Sequence, residues 1–222
     1  MKKLLFTIAL FIGLFSFCGS GESESSDGRK IKIDSDGPLG SLPEIAAAAY
    51  PEYSTLLEKA KDYESKAAEA MRTENIDKTT SLLKKSEEIK QKASDLSKNT
   101  VEKMRAYIKN NGGAIQIPFE QKGSEDKIKI LKTEATGAVW NPRSYPHVNL
   151  ECLVEANINI KPRRIESAYI DKTGDTLHTG RFLGLFNYKK LTPGDTARLR
   201  ANPKLDEIPG FRKIIFGDMP KR

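Results

Sequence analysis

Histidine and cysteine, on which many enzymes and metal sites depend, are scarce in this 222-residue chain. It has two histidines, His147 and His178, and two cysteines, Cys18 and Cys152. A nucleophilic site needs a nucleophile beside an oriented base, but Cys152 and His147 lie five residues apart on one predicted strand, where their side chains point to opposite faces. So few cysteines also exclude a cysteine-type zinc site and a disulfide framework. We therefore expect no enzyme activity, no metal and no cofactor.

Long apolar runs are also missing, except for one at the start of the chain. Lys2 and Lys3 precede the almost wholly apolar residues 4–17, and Cys18 and a polar stretch follow. A basic start, a short apolar middle and abrupt polarity are typical of a bacterial export signal, and the run is too short to span a bilayer comfortably. Residues 1–17 are therefore predicted to be an export signal, so the rest works outside the cytoplasm.

The position of Cys18, directly after this run and before a Gly, Ser and Glu-rich stretch, resembles the lipidated cysteine of bacterial lipoproteins. The resemblance implies that lipid on Cys18 anchors the chain to a membrane, at the periplasmic face or the cell surface. Residues 18–42 would then form a flexible tether, because a polar segment cannot offset the entropy cost of folding. Since Phe17 stands where such signals usually have a small residue, the alternative is an ordinary secretory signal cut near Gly19 or Ser20.

The net charge of the chain is modest, at +7. An exported protein rarely meets nucleic acid, so we expect no nucleic-acid partner. Solvated lysines and arginines, or a weak attraction to anionic envelope surfaces, are the better interpretation of this charge.

Residues 43–112 have the apolar periodicity of two amphipathic helices. The first is predicted to be interrupted at Pro51, and Asp77 is the predicted N-cap of the second, which ends at the Asn-Asn-Gly-Gly sequence of residues 110–113. Two such helices joined by a short loop are expected to form an antiparallel hairpin. Its role is either a spacer or a coiled coil that binds a partner.

Residues 113–222 are rich in β-branched residues, aromatics and turn formers. Alternation of apolar and polar residues is clearest from Val148 to Ile160, which is typical of an antiparallel sheet with one face in water. Seven strands are predicted in all, at residues 114–119, 127–133, 147–160, 165–171, 177–186, 196–201 and 213–216. With the helices, they predict an α+β chain in which an antiparallel helical hairpin precedes a seven-stranded, Ig-like antiparallel β-sandwich.

Residues 191–195, Leu-Thr-Pro-Gly-Asp, lead into the predicted strand 196–201. This segment resembles the Leu-x-Pro-Gly turn before the penultimate strand of fibronectin type III and related bacterial Ig-like domains, although Ala197 stands where those domains usually have tyrosine. The resemblance implies an Ig-like architecture and a binding or spacing role, since this fold serves many functions.

Two groups of residues are candidates for ligand or partner binding. The loop that ends at His147 holds Trp140, Arg143 and Tyr145, residue types that are common where proteins grip partners or stack on sugars. The alternative is that its rings plug one end of the sandwich. The second group is basic and consists of Lys161, Arg163 and Arg164 together with Arg198 and Arg200. The last two share one strand face and either contact anionic glycans or lipid head groups or are simply solvated.

The leading hypothesis is therefore a non-catalytic, lipid-anchored protein of the cell envelope, whose helical hairpin spaces or docks the Ig-like domain toward an envelope protein partner. The alternative is a carbohydrate- or surface-binding module that uses the loop from Trp140 to His147.

Overall fold

Two long helices precede eight strands in the computed structural model, which describes residues 36–123, 125–142, 144–161, 164–184 and 190–217. The predicted export signal, Cys18, Arg143 and Arg163 lie outside these residues. The elements, in chain order, are α1 (Leu42–Arg72), α2 (Ile76–Asn110), β1 (Ile115–Gln116), β2 (Phe119–Lys122), β3 (Ile128–Val139), β4 (His147–Ala156), β5 (Arg164–Ile170), β6 (Thr176–Gly184), β7 (Thr196–Ala201) and β8 (Lys213–Gly217). The predicted α+β class is confirmed.

Helix α1 runs straight through Pro51, where an interruption was expected. A proline costs the helix one hydrogen bond, but Tyr50 and Tyr53 on either side of it pack against Trp140 and so hold the turn in place. The N-cap of α2 is Asn75, not Asp77, because the Asn75 side chain accepts a hydrogen bond of 3.1 Å from the backbone N–H of Lys78. Asp77 lies in the first turn, where its charge favours the helix dipole.

The seam between the two helices is built from small residues. Buried along it are Ala60, Ala67, Thr79, Ser86 and Ala93, and the Ser86 hydroxyl donates a hydrogen bond of 3.1 Å to the carbonyl of Ala60. Larger apolar residues beside this part of the seam are only half-buried, among them Leu57, Tyr63, Leu82, Leu83 and Ile89. A pair of helices has room to bury only a narrow strip, and small residues let the two backbones approach closely.

The eight strands form one curled, mixed sheet with the order β1-β3-β4-β7-β6-β5-β8-β2. All neighbours are antiparallel except β2 and β8, which are parallel. The seven-stranded antiparallel prediction was therefore wrong in strand count and in this pair, and the two packed sheets of an Ig-like sandwich are not confirmed.

The extra strand arises because the predicted strand 114–119 changes partners at Pro118. Before this proline, the backbone N–H of Ile117 donates to Thr133 of β3 at 2.9 Å; after it, the Pro118 carbonyl accepts from Ile214 of β8 at 2.9 Å. Residues 115–122 thus contact β3 and β8, which are far apart in the strand order.

The side chain of Gln121 strengthens this link between β2 and β3. Its amide nitrogen donates to the carbonyl of Ile128 at 2.8 Å, and its amide oxygen accepts from the N–H of Ile130 at 2.9 Å. One side chain therefore forms the pair of hydrogen bonds that a neighbouring strand would form.

Replacing Gln121 with alanine leaves these two backbone groups of β3 without their partner. We expect the free energy of unfolding to fall by about 1 to 3 kcal/mol, measured by urea denaturation. Gln121→Glu serves as the control, since it keeps the shape and the acceptor but loses the donor to Ile128. A Gln121→Ala protein as stable as the parent would show that the link contributes nothing.

The core lies between the sheet and the near ends of the helices. From the helices come Leu42, Ala46, Met104 and Ile108, and from the sheet and the segment before β8 come residues that include Val148, Leu150, Tyr169, Phe182, Leu205, Phe211 and Phe216. A second, smaller cluster joins Tyr53, Ala93 and Val101 of the helices to Trp140. The helices are therefore attached to the sheet at only one end of their length.

Within the described residues, no helix combines the length and the apolar character that crossing a membrane requires.

Candidate functional site

The aromatic loop predicted to bind a partner packs on helix α1. The ring centroids of Trp140 and Tyr53 are 4.6 Å apart, and those of Tyr145 and Tyr50 are also 4.6 Å apart. Trp140 is 9% exposed and Tyr145 is 4% exposed. We call these four residues the aromatic junction. Most of the surface of Trp140 and Tyr145 is therefore already covered by the rest of the chain, including helix α1.

Hydrogen bonds fix the geometry of this junction. The indole N–H of Trp140 donates to the carbonyl of Ser144 at 3.0 Å, and the Tyr53 hydroxyl donates to the carbonyl of Pro142 at 2.6 Å. Burial raises the pKa of Tyr145 to about 12 and also raises the pKa of Tyr53. The phenol hydroxyls of Tyr145 and Tyr53 are therefore protonated and uncharged at neutral pH.

His147 lies at the end of the loop, where it joins the loop to the segment after β7. Its Nδ1 lies 2.9 Å from the carbonyl oxygen of Asn202, and because a carbonyl only accepts, Nδ1 carries the hydrogen. Nε2 is then free to accept from the Ser144 hydroxyl at 3.0 Å. This is a contact between a hydroxyl and a base. The backbone N–H of Ser144 also donates to the carbonyl of Asn141 at 3.0 Å, so the clearest effect of the contact with His147 is to fix the loop.

Arg198 and Arg200, from the second predicted group, both bind the carboxylate of Glu151 on the outer face of the sheet. Arg198 donates to Glu151 at 3.0 Å and Arg200 donates to it at 2.9 Å. The side chain of Glu151 is 11% exposed, whereas those of the arginines are 63% and 53% exposed. Glu151 thus anchors both cations while more than half of each arginine side chain is exposed.

Strand register places Glu151 and Arg200 in a row of residues that crosses six strands. The row runs Gln116, Glu134, Glu151, Arg200, Leu183, Arg164 from β1 to β5. Burial works to raise the pKa of Glu134, but hydrogen bonds from Lys132 and Gln116 outweigh it and lower that pKa. Glu134 and Glu151 lie in the half of the row nearer β1, and Arg200 and Arg164 lie in the half nearer β5. Leu183, which is 54% exposed, lies between these two arginines.

Sequence reasoning found the two arginines but missed Glu151 and Leu183. The signal for Glu151 was present, since it falls on the polar side of the alternation in β4. Leu183 had no signal, because its neighbours in the row come from strands that are distant in sequence.

The distal part of the helices, residues 58–92, is a further candidate surface. None of its residues belongs to either cluster of the core, and α1 extends for about 20 Å from Glu58 to its end at 1.5 Å per residue. Near the loop that joins the helices, Met71 and Ile76 are 36% and 48% exposed. This part of the chain is held by contacts between the two helices.

Cys152 lies inside the sheet, fully buried, and carries no feature of a reactive thiol. Burial raises its pKa from an ordinary 9.0 to about 12, whereas reactive cysteines have a lowered pKa and an accessible sulfur.

This burial predicts a loss of stability in alkali. In the unfolded chain the Cys152 thiol ionises near pH 9, but in the folded chain it stays protonated up to about pH 12. The raised pKa therefore contributes stability that is complete below pH 9 and is lost as the pH rises toward 12. We expect Cys152→Ala to have a flatter pH dependence of the unfolding free energy between pH 8 and about 10, measured by urea denaturation. Equal slopes for the two proteins would contradict this.

Among the described residues, no group of three or more His, Cys, Asp or Glu side chains is placed to hold a metal ion. Comparisons with protein-family models, with curated proteins and with solved structures find no match to this chain.

Proposed function

We propose that this protein is a non-catalytic, lipid-anchored component of the cell envelope, which uses its helices as a spacer and docking arm for a protein partner. In this proposal Cys18 carries the lipid, and the sheet domain is the base on which the helices stand. The tether predicted over residues 18–42 ends earlier, because Leu39 and Leu42 are buried in the core.

The observation that supports this proposal best is the distal part of the helices. Residues 58–92 contribute nothing to the two core clusters, so the sheet domain does not need them to bury its own core. Ordering a helical pair of this length costs conformational entropy, and a contact made outside the domain is a reason to retain it.

An antiparallel orientation of the helices is part of the proposal. It is supported by contacts in which the residue number falls along α1 while it rises along α2, first Tyr63 with Lys85 and then Ala60 with Ser86. An Ig-like domain is not part of it, because one sheet of eight strands differs from two packed sheets.

The glycan-binding alternative receives no support from the aromatic junction. Sugar stacking needs an open ring face, and the rings of Trp140 and Tyr145 are covered by Tyr53 and Tyr50. We therefore do not adopt it.

Photo-cross-linking in living cells tests the proposal. A photoreactive amino acid would replace Lys61, Glu69 or Lys85 on the distal helices, with Lys172 in the turn between β5 and β6 as the control position. We expect one recurring protein adduct from at least one helical position and none from Lys172. The same background of neighbours from all four positions would refute the docking role.

A further inference from the structure

The two sides of the helical pair differ in how the seam is closed. On one side, Glu64 of α1 and Lys90 of α2 form an ion pair of 2.5 Å across the seam. By helical spacing, Tyr63, three residues after Ala60, and Leu82 and Ile89, on either side of Ser86 in the sequence, fall on the other side of the seam. All three are apolar and half-buried. Along this second side, the part that the structure describes shows an apolar strip and no ion pair across the seam.

Lysines follow both edges of this strip. The residue immediately before a seam residue lies 100° around its helix, and before each of the five small seam residues named above that residue is lysine. The five are Lys59 before Ala60, Lys66 before Ala67, Lys78 before Thr79, Lys85 before Ser86 and Lys92 before Ala93. All five are exposed. We call the apolar strip with these lysines the lysine-edged groove.

One contact confirms that the two helices contribute lysines to the same side. The ammonium of Lys85 on α2 lies over the ring of Tyr63 on α1, 6.0 Å from its centroid. Of the five lysines, Lys66 is paired with Asp62 one turn earlier at 2.7 Å. The groove therefore has an apolar floor and a net positive edge on each helix.

We propose that the lysine-edged groove binds an amphipathic helix of a partner protein whose apolar stripe is bordered by Asp and Glu. Laid in the groove, such a helix would complete a three-helix bundle, burying its apolar stripe on Tyr63, Leu82 and Ile89 and pairing its carboxylates with the lysines. A second copy of this chain is a poor occupant, because its lysines would face the same lysines. This inference rests on the proposed docking function and names the surface that performs it.

Two synthetic helical peptides test the charge rule on the full-length protein. Both have the same leucine stripe; one is bordered by Glu and the other by Lys. By fluorescence anisotropy at low salt, we expect the Glu peptide to bind at least about tenfold more tightly than the Lys peptide, and added salt to reduce this difference.

Matched variants locate the binding. The triple variant Lys59→Glu, Lys85→Glu, Lys92→Glu is expected to reverse the preference. The control Lys61→Glu, Lys84→Glu, Lys98→Glu changes the net charge equally but places it away from the groove, and it is expected to keep the preference. Circular dichroism checks that both variants remain helical.

Three results would overturn the inference. The first is equal binding of the two peptides, or a reversal by the control variant as well. The second is a dimer in sedimentation that the groove variant abolishes, which would make a second copy the occupant. The third is binding to phosphatidylglycerol vesicles that depends on the groove while neither peptide binds.

The in-cell experiment separates this inference from the docking function. A protein adduct from Lys61 or Glu69 without one from Lys85 would leave the docking function standing and refute the groove as its site. An adduct from position 85 that Lys59→Glu together with Lys92→Glu abolishes supports both.

Discussion

Replacing Trp140 with alanine is expected to lower the free energy of unfolding by about 3 to 5 kcal/mol, the range for removing a large buried aromatic side chain. The indole is 9% exposed, contacts the rings of Tyr53 and Tyr50, and donates its N–H to the carbonyl of Ser144. Its loss leaves a void where the loop before β4 meets helix α1.

Urea denaturation followed by circular dichroism is the measurement, since Trp140 is the only tryptophan and its fluorescence is lost with it. Trp140→Phe is the matched control, because it keeps a ring but loses the N–H, and it should cost less. A Trp140→Ala protein within 0.5 kcal/mol of the parent, the usual range for surface changes, would show that the aromatic junction does not hold the helices to the sheet and would return Trp140 to the partner-binding hypothesis.

Phe216→Ala is expected to lower the free energy of unfolding by a similar amount, about 3 to 5 kcal/mol. Phe216 lies on β8, toward the edge of the sheet formed by β2. Phe216 is fully buried on β8, and its ring lies 5.1 Å from that of Phe182 and 6.2 Å from that of Phe119. These three rings join β8 to β6 and to β2, so the cavity would weaken three strands together.

The same denaturation experiment measures this effect, with Ile158→Ala as the control, because Ile158 is 44% exposed and its truncation should change little. Phe216→Leu should recover part of the loss by refilling the cavity. Equal destabilisation by Phe216→Ala and Ile158→Ala would contradict the packing around β8.

The helices were the most predictable part of the chain because their signals are local. The spacing of apolar residues and the Asn and Gly residues after Ile108 give the extent of α2 to within a residue or two. The interruption predicted at Pro51 was wrong, because the cost of a proline inside the helix is offset by the packing of Tyr50 and Tyr53 on a loop about ninety residues later. The composition of the seam was also missed, since the periodicity does not tell whether Leu82 or Ser86 lies at its centre.

Strand positions were predictable from alternation, but strand pairing was not. The alternation in β4 identified its buried face, and Val148, Leu150, Cys152 and Val154 are all buried. It was wrong beyond Ala156, where the strand ends and Ile158 is 44% exposed. The parallel pairing of Phe119 with Ile214 leaves no trace in either segment, because hydrogen bonds between distant backbones do not depend on side-chain type.

For the candidate site, composition identified the unusual loop but not what it contacts. The same rings suit a partner or the protein itself, and only the position of Tyr53 showed which surface of Trp140 is already covered. The roles proposed for Arg198 and Arg200 remain predictions, since their pairing with Glu151 fits a structural role as well as a binding surface.

If the chain is exported as proposed, the place of β8 in the sheet decides when the sheet can be completed. Strand β8 is the last of the described strands along the chain, yet it lies between β5 and β2. A chain that emerges from a translocation channel with its N-terminal end first would expose β2, formed about ninety residues earlier, before β8 arrives, which is its one strand partner in the part of the chain that the structure describes. The sheet therefore cannot be completed while the chain is still threading, and the exposed edges of β2 and β5 are the surfaces that would need protection from aggregation until residues 213–217 have crossed.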